Sequence, residues 1–133
     1  MRIALISSEE SITNPLSGLN SFLNEQIINV EVEEITVPMN LDIIAAVNEL
    51  EDYNLIFVFV SYAKEDAKIK LLLEKLVELE IQKGIKIIKA VELSEEEGGE
   101  AEPETIAETA DPLVQKWGNF ILKELFGEEK EVK

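Results

Sequence analysis

The sequence of 133 residues contains no cysteine and no histidine. These two absences exclude disulfide bonds, thiolate nucleophiles, imidazole bases and the usual zinc or iron ligand sets, and with them most catalytic templates. The sequence also lacks a basic N-terminal region followed by an apolar stretch, and charged residues interrupt each apolar run before it reaches membrane-spanning length. We therefore expect a cytoplasmic protein that has no membrane partner.

Positive charge is scarce, because 12 Lys and Arg stand against 28 Asp and Glu, for a formal net charge of −16. No Lys or Arg occurs between Arg2 and Lys64, and none occurs between Lys89 and Lys116. Such a surface repels phosphate backbones, so we expect no nucleic-acid partner. A site for an anion would depend on backbone N–H groups or on Lys64 and its neighbours.

The remaining pattern alternates short apolar runs with segments of helical periodicity. Strands are predicted at 3–7, 30–37, 55–60 and 85–91, and helices at the start signals Asn14-Pro15, Asn40, Ala63 and Asp111-Pro112. The order β-α-β-α-β-α-β-α with right-handed crossovers predicts an α/β three-layer sandwich. Its mainly parallel, four-stranded sheet should have the order 2-1-3-4, as in flavodoxin-like and lumazine synthase-like folds.

One domain is expected over residues 1–127, followed by a charged tail at 128–133. Residues 92–108 contain eight acids, no bases and Gly98-Gly99, a composition that predicts a mobile acidic loop. The loop lacks the oxygen spacing and turn glycine of calcium loops, so no metal site is predicted there.

Ligands of open parallel sheets bind beyond the carboxyl ends of the strands, where the strand order reverses. That rule selects residues 7–13 and 61–66. Neither of the usual glycine-rich phosphate motifs is present. Ser7 and Ser8 offer hydroxyls where a flavodoxin holds phosphate, but Glu9 and Glu10 would oppose an anion. A response-regulator receiver is excluded by Ser61, which stands where receivers need the phosphorylated aspartate.

Two resemblances bear on function. The shorter one covers residues 59–66 (FVSYAKED), which are similar to the first box of TIR domains and imply a non-enzymatic interaction adaptor. In TIR domains, however, this box lies at the start of the fold, whereas here two β-α units precede it. A strand end followed by a helix start explains the same residues.

The longer resemblance starts at Thr36-Val37-Pro38, continues through Asp42 early in a helix, and includes residues 63–68 (AKEDAK). In element order and spacing it covers most of the chain. It resembles the lumazine synthase and archaeal-type riboflavin synthase superfamily, and is nearer the second branch. The resemblance implies a homo-oligomer, a pentamer, that binds a lumazine or flavin-like molecule between subunits.

By this resemblance and by the position of the strand ends, the ligand-binding candidates are Ser7, Ser8, Met39, Asp42, Ser61, Tyr62, Lys64 and Asp66. Each also has an ordinary structural interpretation as a helix cap, a solvated charge or a helix-start acid. No catalytic residue and no metal ligand is assigned. No cofactor is indicated by the residues, and Mg²⁺ enters only if the protein is enzymatically active.

Several residues depart from the superfamily pattern. Met39 replaces the glycine that follows V-P, the R-G-x-T-x-H segment is missing, and Arg2 is the sole arginine. We therefore expect a diverged member that binds a flavin precursor or a similar planar ligand, with catalysis lost or reduced. An active riboflavin synthase, which dismutates two molecules of 6,7-dimethyl-8-ribityllumazine, and the adaptor remain the alternatives.

Overall fold

The computed structural model describes residues 1–11, 13–62, 67–93 and 103–127. Strands and helices alternate along these residues. The elements are β1 (Arg2–Ser8), α1 (Leu16–Gln26), β2 (Glu31–Val37), α2 (Asp42–Glu49), β3 (Leu55–Tyr62), α3 (Ala67–Lys83), β4 (Lys86–Leu93) and α4 (Pro103–Phe126). None of the helices among these residues combines the length and the apolar character needed to cross a membrane.

The four strands form one sheet in the order β2-β1-β3-β4, and every pair is parallel. The predicted sheet order is therefore confirmed. Parallel pairing requires a crossover between successive strands, and each crossover carries a helix. The direction of strand order reverses between β1 and β3, which makes the gap between their carboxyl ends the topological switch point.

Each face of the sheet has its own apolar core, so the molecule has three layers. Ile3, Leu5 and Phe57 pack with α1 and α4 on one face, while Ala4 and Ile56 pack with α2 and α3 on the other. Because β1 and β3 are covered on both faces, they are apolar without alternation, as their sequences indicated. Burying a side chain such as Phe57, which is 0% exposed, stabilises the fold by about 1.5–3 kcal/mol.

α1 and α4 approach each other closely at two glycines. A Cβ atom at Gly18 would lie 2.7 Å from Val114 Cγ2, and one at Gly118 would lie 2.5 Å from Phe22 Cε2. Any larger residue at these positions would force the two helices apart or displace the facing side chain. The absence of a side chain at Gly18 and Gly118 therefore allows α1 and α4 to pack at this distance.

The helix ends differ in part from the sequence-based expectations. α1 begins at Leu16 rather than at Pro15, although Asn14 Oδ1 still accepts a hydrogen bond from the Leu16 N–H at 3.0 Å. Gly84 and Gly127 end α3 and α4 with φ angles of 67° and 85°, in the left-handed region that favours glycine.

α4 is longer than the sequence suggested. The helix begins at Pro103 and continues through Pro112, which was predicted to start it. Pro103 followed by Glu104 is itself a good helix start, because proline suits the first helical position and an acid suits the first turn. Glu92 and Leu93 belong to β4 and residues 103–108 to α4, so the prediction of a loop is wrong for these parts of 92–108. Residues 94–102 and the charged tail at 128–133 lie outside the described residues.

Candidate functional site at the split between β1 and β3

The sheet splits at its carboxyl edge between the two central strands. Pairing of β1 with β3 ends at Ile6 and Val58, whereas β1 stays paired with β2 as far as Ser8 and Val37. On the other side, β3 stays paired with β4 as far as Tyr62 and Leu93. Backbone pairing between the two central strands thus ends before either strand does. The edge beyond it, bordered by residues 7–11 and 59–61, is the topological switch point, which we call the crevice.

Serine hydroxyls bridge this split. Ser7 Oγ donates a hydrogen bond to the carbonyl oxygen of Phe59 at 2.8 Å, and the Ser61 N–H donates to Ser11 Oγ at 3.1 Å. Ser7 Oγ and Ser11 Oγ are 3.3 Å apart. A hydroxyl has one proton, and that of Ser7 is used on Phe59, so Ser11 must be the donor to Ser7. Side chains thus replace the backbone pairing that β1 and β3 lack here.

A second group of polar contacts ties the end of β1 to the start of α2. Ser8 Oγ donates to Asn40 Oδ1, and the Glu10 N–H donates to Ser8 Oγ at 3.2 Å. The Asn40 N–H in turn donates to Glu10 Oε1 at 2.8 Å. These reciprocal bonds fix the loop after β1 against the segment that leads into α2.

The prediction that Asn40 caps α2 with its side chain is wrong. The helix begins at Asp42, and the Asn40 side chain, 9% exposed, accepts the Ser8 hydroxyl instead. The Met39 N–H, just before the helix, donates a hydrogen bond to Asp42 Oδ2 at 3.1 Å. A buried hydroxyl without an acceptor costs free energy, whereas the N–H groups at an exposed helix end can donate to water instead. The Ser8 hydroxyl therefore gains more from the Asn40 side chain than the start of α2 would.

All the buried polar side chains of the described residues lie at this edge of the sheet, namely those of Ser7, Ser8, Thr13, Asn40 and Ser61. No buried side-chain nitrogen or oxygen within the described part of the chain lacks a hydrogen-bond partner. The hydrogen bonds of this network are therefore complete. Ser7, Ser8 and Ser61 are at most 2% exposed, so a ligand at this edge would lie over the network rather than complete a missing bond.

The electrostatic character of the crevice is acidic on the β1 side. Glu9 and Glu10 are exposed beside the hydroxyls, and the Glu10 carboxylate is held by the Asn40 N–H. The hydroxyls of Ser7, Ser8 and Ser11 have no hydrogen bond to a carboxylate among the described residues. Within the described part of the chain, no carboxylate therefore accepts a proton from these serines through a hydrogen bond. This arrangement favours binding of an uncharged polar group over nucleophilic catalysis.

The structure brings together three of the residues predicted for the site, Ser7, Ser8 and Ser61. Met39 and Asp42 are exposed at the rim, where Met39 is 48% exposed. Tyr62 is half-buried and packs against the core on the α2 and α3 face. Lys64 and Asp66 lie outside the described residues, so their roles remain predictions.

The sequence interpretation missed Ser11 and the site role of Asn40. Ser11 gave a weak signal, since it lies within the selected loop at 7–13. Asn40 gave a misleading one, because Asn before an apolar periodic segment is also a common helix start. Neither contact across the chain can be derived from local spacing, because the partners are 50 and 32 residues away.

Two groups with shifted pKa values lie away from this crevice. The Tyr53 hydroxyl donates to the Glu33 carboxylate, and this bond, together with burial and the Glu33 charge, raises the pKa of Tyr53. Burial raises the pKa of Glu80, but hydrogen bonds from Lys89 Nζ and the Ile87 N–H outweigh burial and lower it overall. Both groups therefore stabilise the surface of the fold rather than prepare a reaction at the strand ends.

A separate open groove of about 390 Å³ lies between α2 and α3. It contains none of the residues predicted for the site, and its lining is Leu41, Ile44, Ala45, Asn48, Lys75, Glu78, Leu79 and Gln82. Within the described part of the chain, no three carboxylates come together as a metal site.

Comparison with known proteins gives no assignment. The sequence matches no protein-family model and no curated protein. The function is therefore argued from the fold and from the crevice between β1 and β3.

Proposed function

We propose that the protein binds a planar, uncharged ligand that carries hydroxyl groups, of the lumazine or flavin type, in the crevice between the carboxyl ends of β1 and β3. The observation that carries this proposal is the split after Ile6 and Val58, bordered by the buried serine network. The crevice is the switch point of the sheet, where ligands of this fold class bind. The protein is then a diverged relative of the lumazine synthase and riboflavin synthase superfamily.

The chemistry of the crevice favours binding with catalysis lost or reduced. Ser7, Ser8 and Ser11 are held by neutral or backbone partners, so their hydroxyls are suited to hydrogen bonds and not to attack. Glu9 and Glu10 disfavour a phosphate group at the same edge. The proposal therefore specifies a ligand with a free ribityl chain, such as riboflavin or 6,7-dimethyl-8-ribityllumazine, rather than a phosphorylated flavin.

A second copy of the chain would complete this site. Met39, at the rim, is 48% exposed, and an apolar side chain in that position can cover a planar ring if a neighbouring subunit buries it. This part of the proposal predicts a homo-oligomer at micromolar concentration. A strict monomer in sedimentation velocity would remove the intersubunit site from the proposal.

Isothermal titration of the full chain with three ligands tests the proposal. We expect saturable binding of ribityllumazine and riboflavin, and binding at least about tenfold weaker for FMN because its phosphate meets Glu9 and Glu10. Equal or tighter binding of FMN would contradict the proposed preference for ligands without a phosphate group. If none of the three ligands bound, the proposed function itself would be contradicted. Fluorescence of riboflavin formed from ribityllumazine with Mg²⁺ would show instead that catalysis is retained.

A further inference from the structure

The strand β2 forms one edge of the sheet, and its outer backbone groups point away from the molecule. The Glu31 N–H donates to the Met1 carbonyl at 2.8 Å, and the Val37 carbonyl accepts from the Glu9 N–H at 2.8 Å, so both residues face the β1 side. Because successive residues of a strand face opposite sides, the N–H and C=O groups of Val32, Glu34 and Thr36 face outward. Among the described residues, none of these outward groups has a hydrogen-bond partner.

At the opposite edge of the sheet, β4, side chains bond to outward backbone groups. The Ile87 N–H donates to Glu80 Oε2 at 3.1 Å, and the Ile87 carbonyl accepts from Lys89 Nζ at 2.8 Å. Glu80 and Lys89 also pair with each other at 2.8 Å. Side chains thus occupy both backbone groups of this residue and obstruct an incoming strand. No comparable contact occupies the outward backbone of β2 among the described residues.

The charge around β2 selects the kind of partner. Between Arg2 and Lys64 the chain has ten Asp and Glu residues and no Lys or Arg. On β2 itself, Glu31 and Glu33 lie on the same side of the sheet as α2 and α3 and are exposed. Arg2 Nε lies 3.5 Å from Glu31 Oε1, and the Tyr53 hydroxyl donates to Glu33, so Glu33 keeps its full charge. Glu34 lies on the other side, where Ser17 and Asn20 donate hydrogen bonds to it at 3.3 and 2.8 Å. No residue of β2 is buried. The edge is therefore accessible and acidic on both faces.

We propose that β2 is a docking edge for an extended, Lys- and Arg-rich segment of another protein, which adds to the sheet as a fifth strand. The backbone groups of Val32, Glu34 and Thr36 supply the hydrogen bonds, and the three glutamates select basic side chains. A seven-residue strand offers about 23 Å for pairing. A second copy of this chain is disfavoured at this edge, because β2 against β2 would set glutamates against glutamates.

Amide hydrogen exchange of the full chain with a defined peptide tests this inference. The probe is an acetylated, amidated heptapeptide that alternates Lys with Val, so that its lysines share the face of Glu31 and Glu33. We expect slower exchange at Val32, Glu34 and Thr36 on addition of the peptide, with β4 unchanged. The matched control peptide has the same sequence with N-methyl groups on alternate backbone nitrogens, which keeps the charge and removes the pairing donors.

Two variants separate strand addition from charge attraction. Thr36→Pro removes one outward N–H at an edge position that tolerates proline, and Thr36→Val is its control. We expect Thr36→Pro to weaken peptide binding by about tenfold or more and Thr36→Val to leave it unchanged. Equal binding of the N-methylated peptide, or no binding of either peptide, would overturn the inference. Protection of the three amides that rises with protein concentration alone would overturn it too, since a second copy would then be the occupant.

Discussion

Ser7 Oγ donates a hydrogen bond to the carbonyl oxygen of Phe59 at 2.8 Å, beyond the point where backbone pairing between β1 and β3 has ended. The two residues are 52 positions apart and belong to the two central strands. The bond therefore links the two central strands where their backbone groups no longer pair. The crevice that we assign to a ligand depends on this relationship.

The buried Ser8 and Asn40 pair should contribute to stability. In the variant Asn40→Ala, the Ser8 hydroxyl loses its acceptor, which should lower the free energy of unfolding by about 1–3 kcal/mol. The double variant Ser8→Ala with Asn40→Ala should recover part of that loss, since both polar partners are then gone. Urea unfolding checks this, and an Asn40→Ala variant as stable as the parent would contradict the contact.

The close approach of α1 and α4 should make Gly118 intolerant of a methyl group. Overpacking against Phe22 costs about 1–3 kcal/mol, which should exceed the gain of about 1 kcal/mol in helix propensity for Gly118→Ala. Asn119→Ala, at an exposed position of the same helix, is the control and should not destabilise. Thermal unfolding measures both variants. A Gly118→Ala variant that melts higher than the parent would show that the helices are further apart than described.

The single tryptophan of the chain reports on the contact between β4 and α4. Trp117 Nε1 donates to Glu92 Oε2 at 2.8 Å, and Lys116 Nζ pairs with the same oxygen at 2.7 Å. Glu92→Ala should therefore destabilise the protein by about 1–3 kcal/mol and change the tryptophan emission. Glu124→Ala, which removes a looser pair with Lys86 at 3.7 Å, should cost about 0–1 kcal/mol. Similar losses for the two variants would count against this contact.

The lowered pKa of Glu80 predicts a contribution to acid stability. A carboxyl whose pKa is lower in the folded state makes the unfolded state bind more protons in the acidic range, so stability rises with pH there. The contribution of Glu80 is present above its unfolded pKa and is lost as the pH falls through its folded pKa. The difference in unfolding free energy between the parent and Glu80→Gln should shrink on acidification. Urea unfolding at a series of pH values measures this difference, and a difference that stays constant from neutral to acidic pH would contradict the prediction.

The sequence allowed prediction of the architecture because it depends on short-range patterns. Unbroken apolar runs such as 55–60 mark strands covered on both faces, and the helical periodicity of Ile43 and Val47 marks a helix on one face. Together with right-handed crossovers these patterns leave few topologies, and the order 2-1-3-4 follows. The start of α4 was misplaced because Pro112 and Pro103 are both acceptable first residues of a helix.

The site was predictable only in part. The position of Ser7, Ser8 and Ser61 at strand ends follows from topology, because parallel strands end at the same edge. The bonds that they form do not, since the partners Phe59, Asn40 and Ser11 lie 52, 32 and 50 positions away along the chain. Contacts at that separation depend on tertiary packing, which no local sequence signal encodes.

Amide chemical-shift mapping during titration of the labelled full chain with riboflavin tests whether the ligand binds at the ends of β1 and β3. We expect the largest shifts at Ser7, Ser8, Ser11 and Ser61, with small changes along α2 and α3 around the separate groove. Saturable shifts confined to the groove residues, or no shifts at the ends of β1 and β3 at saturating ligand, would contradict it.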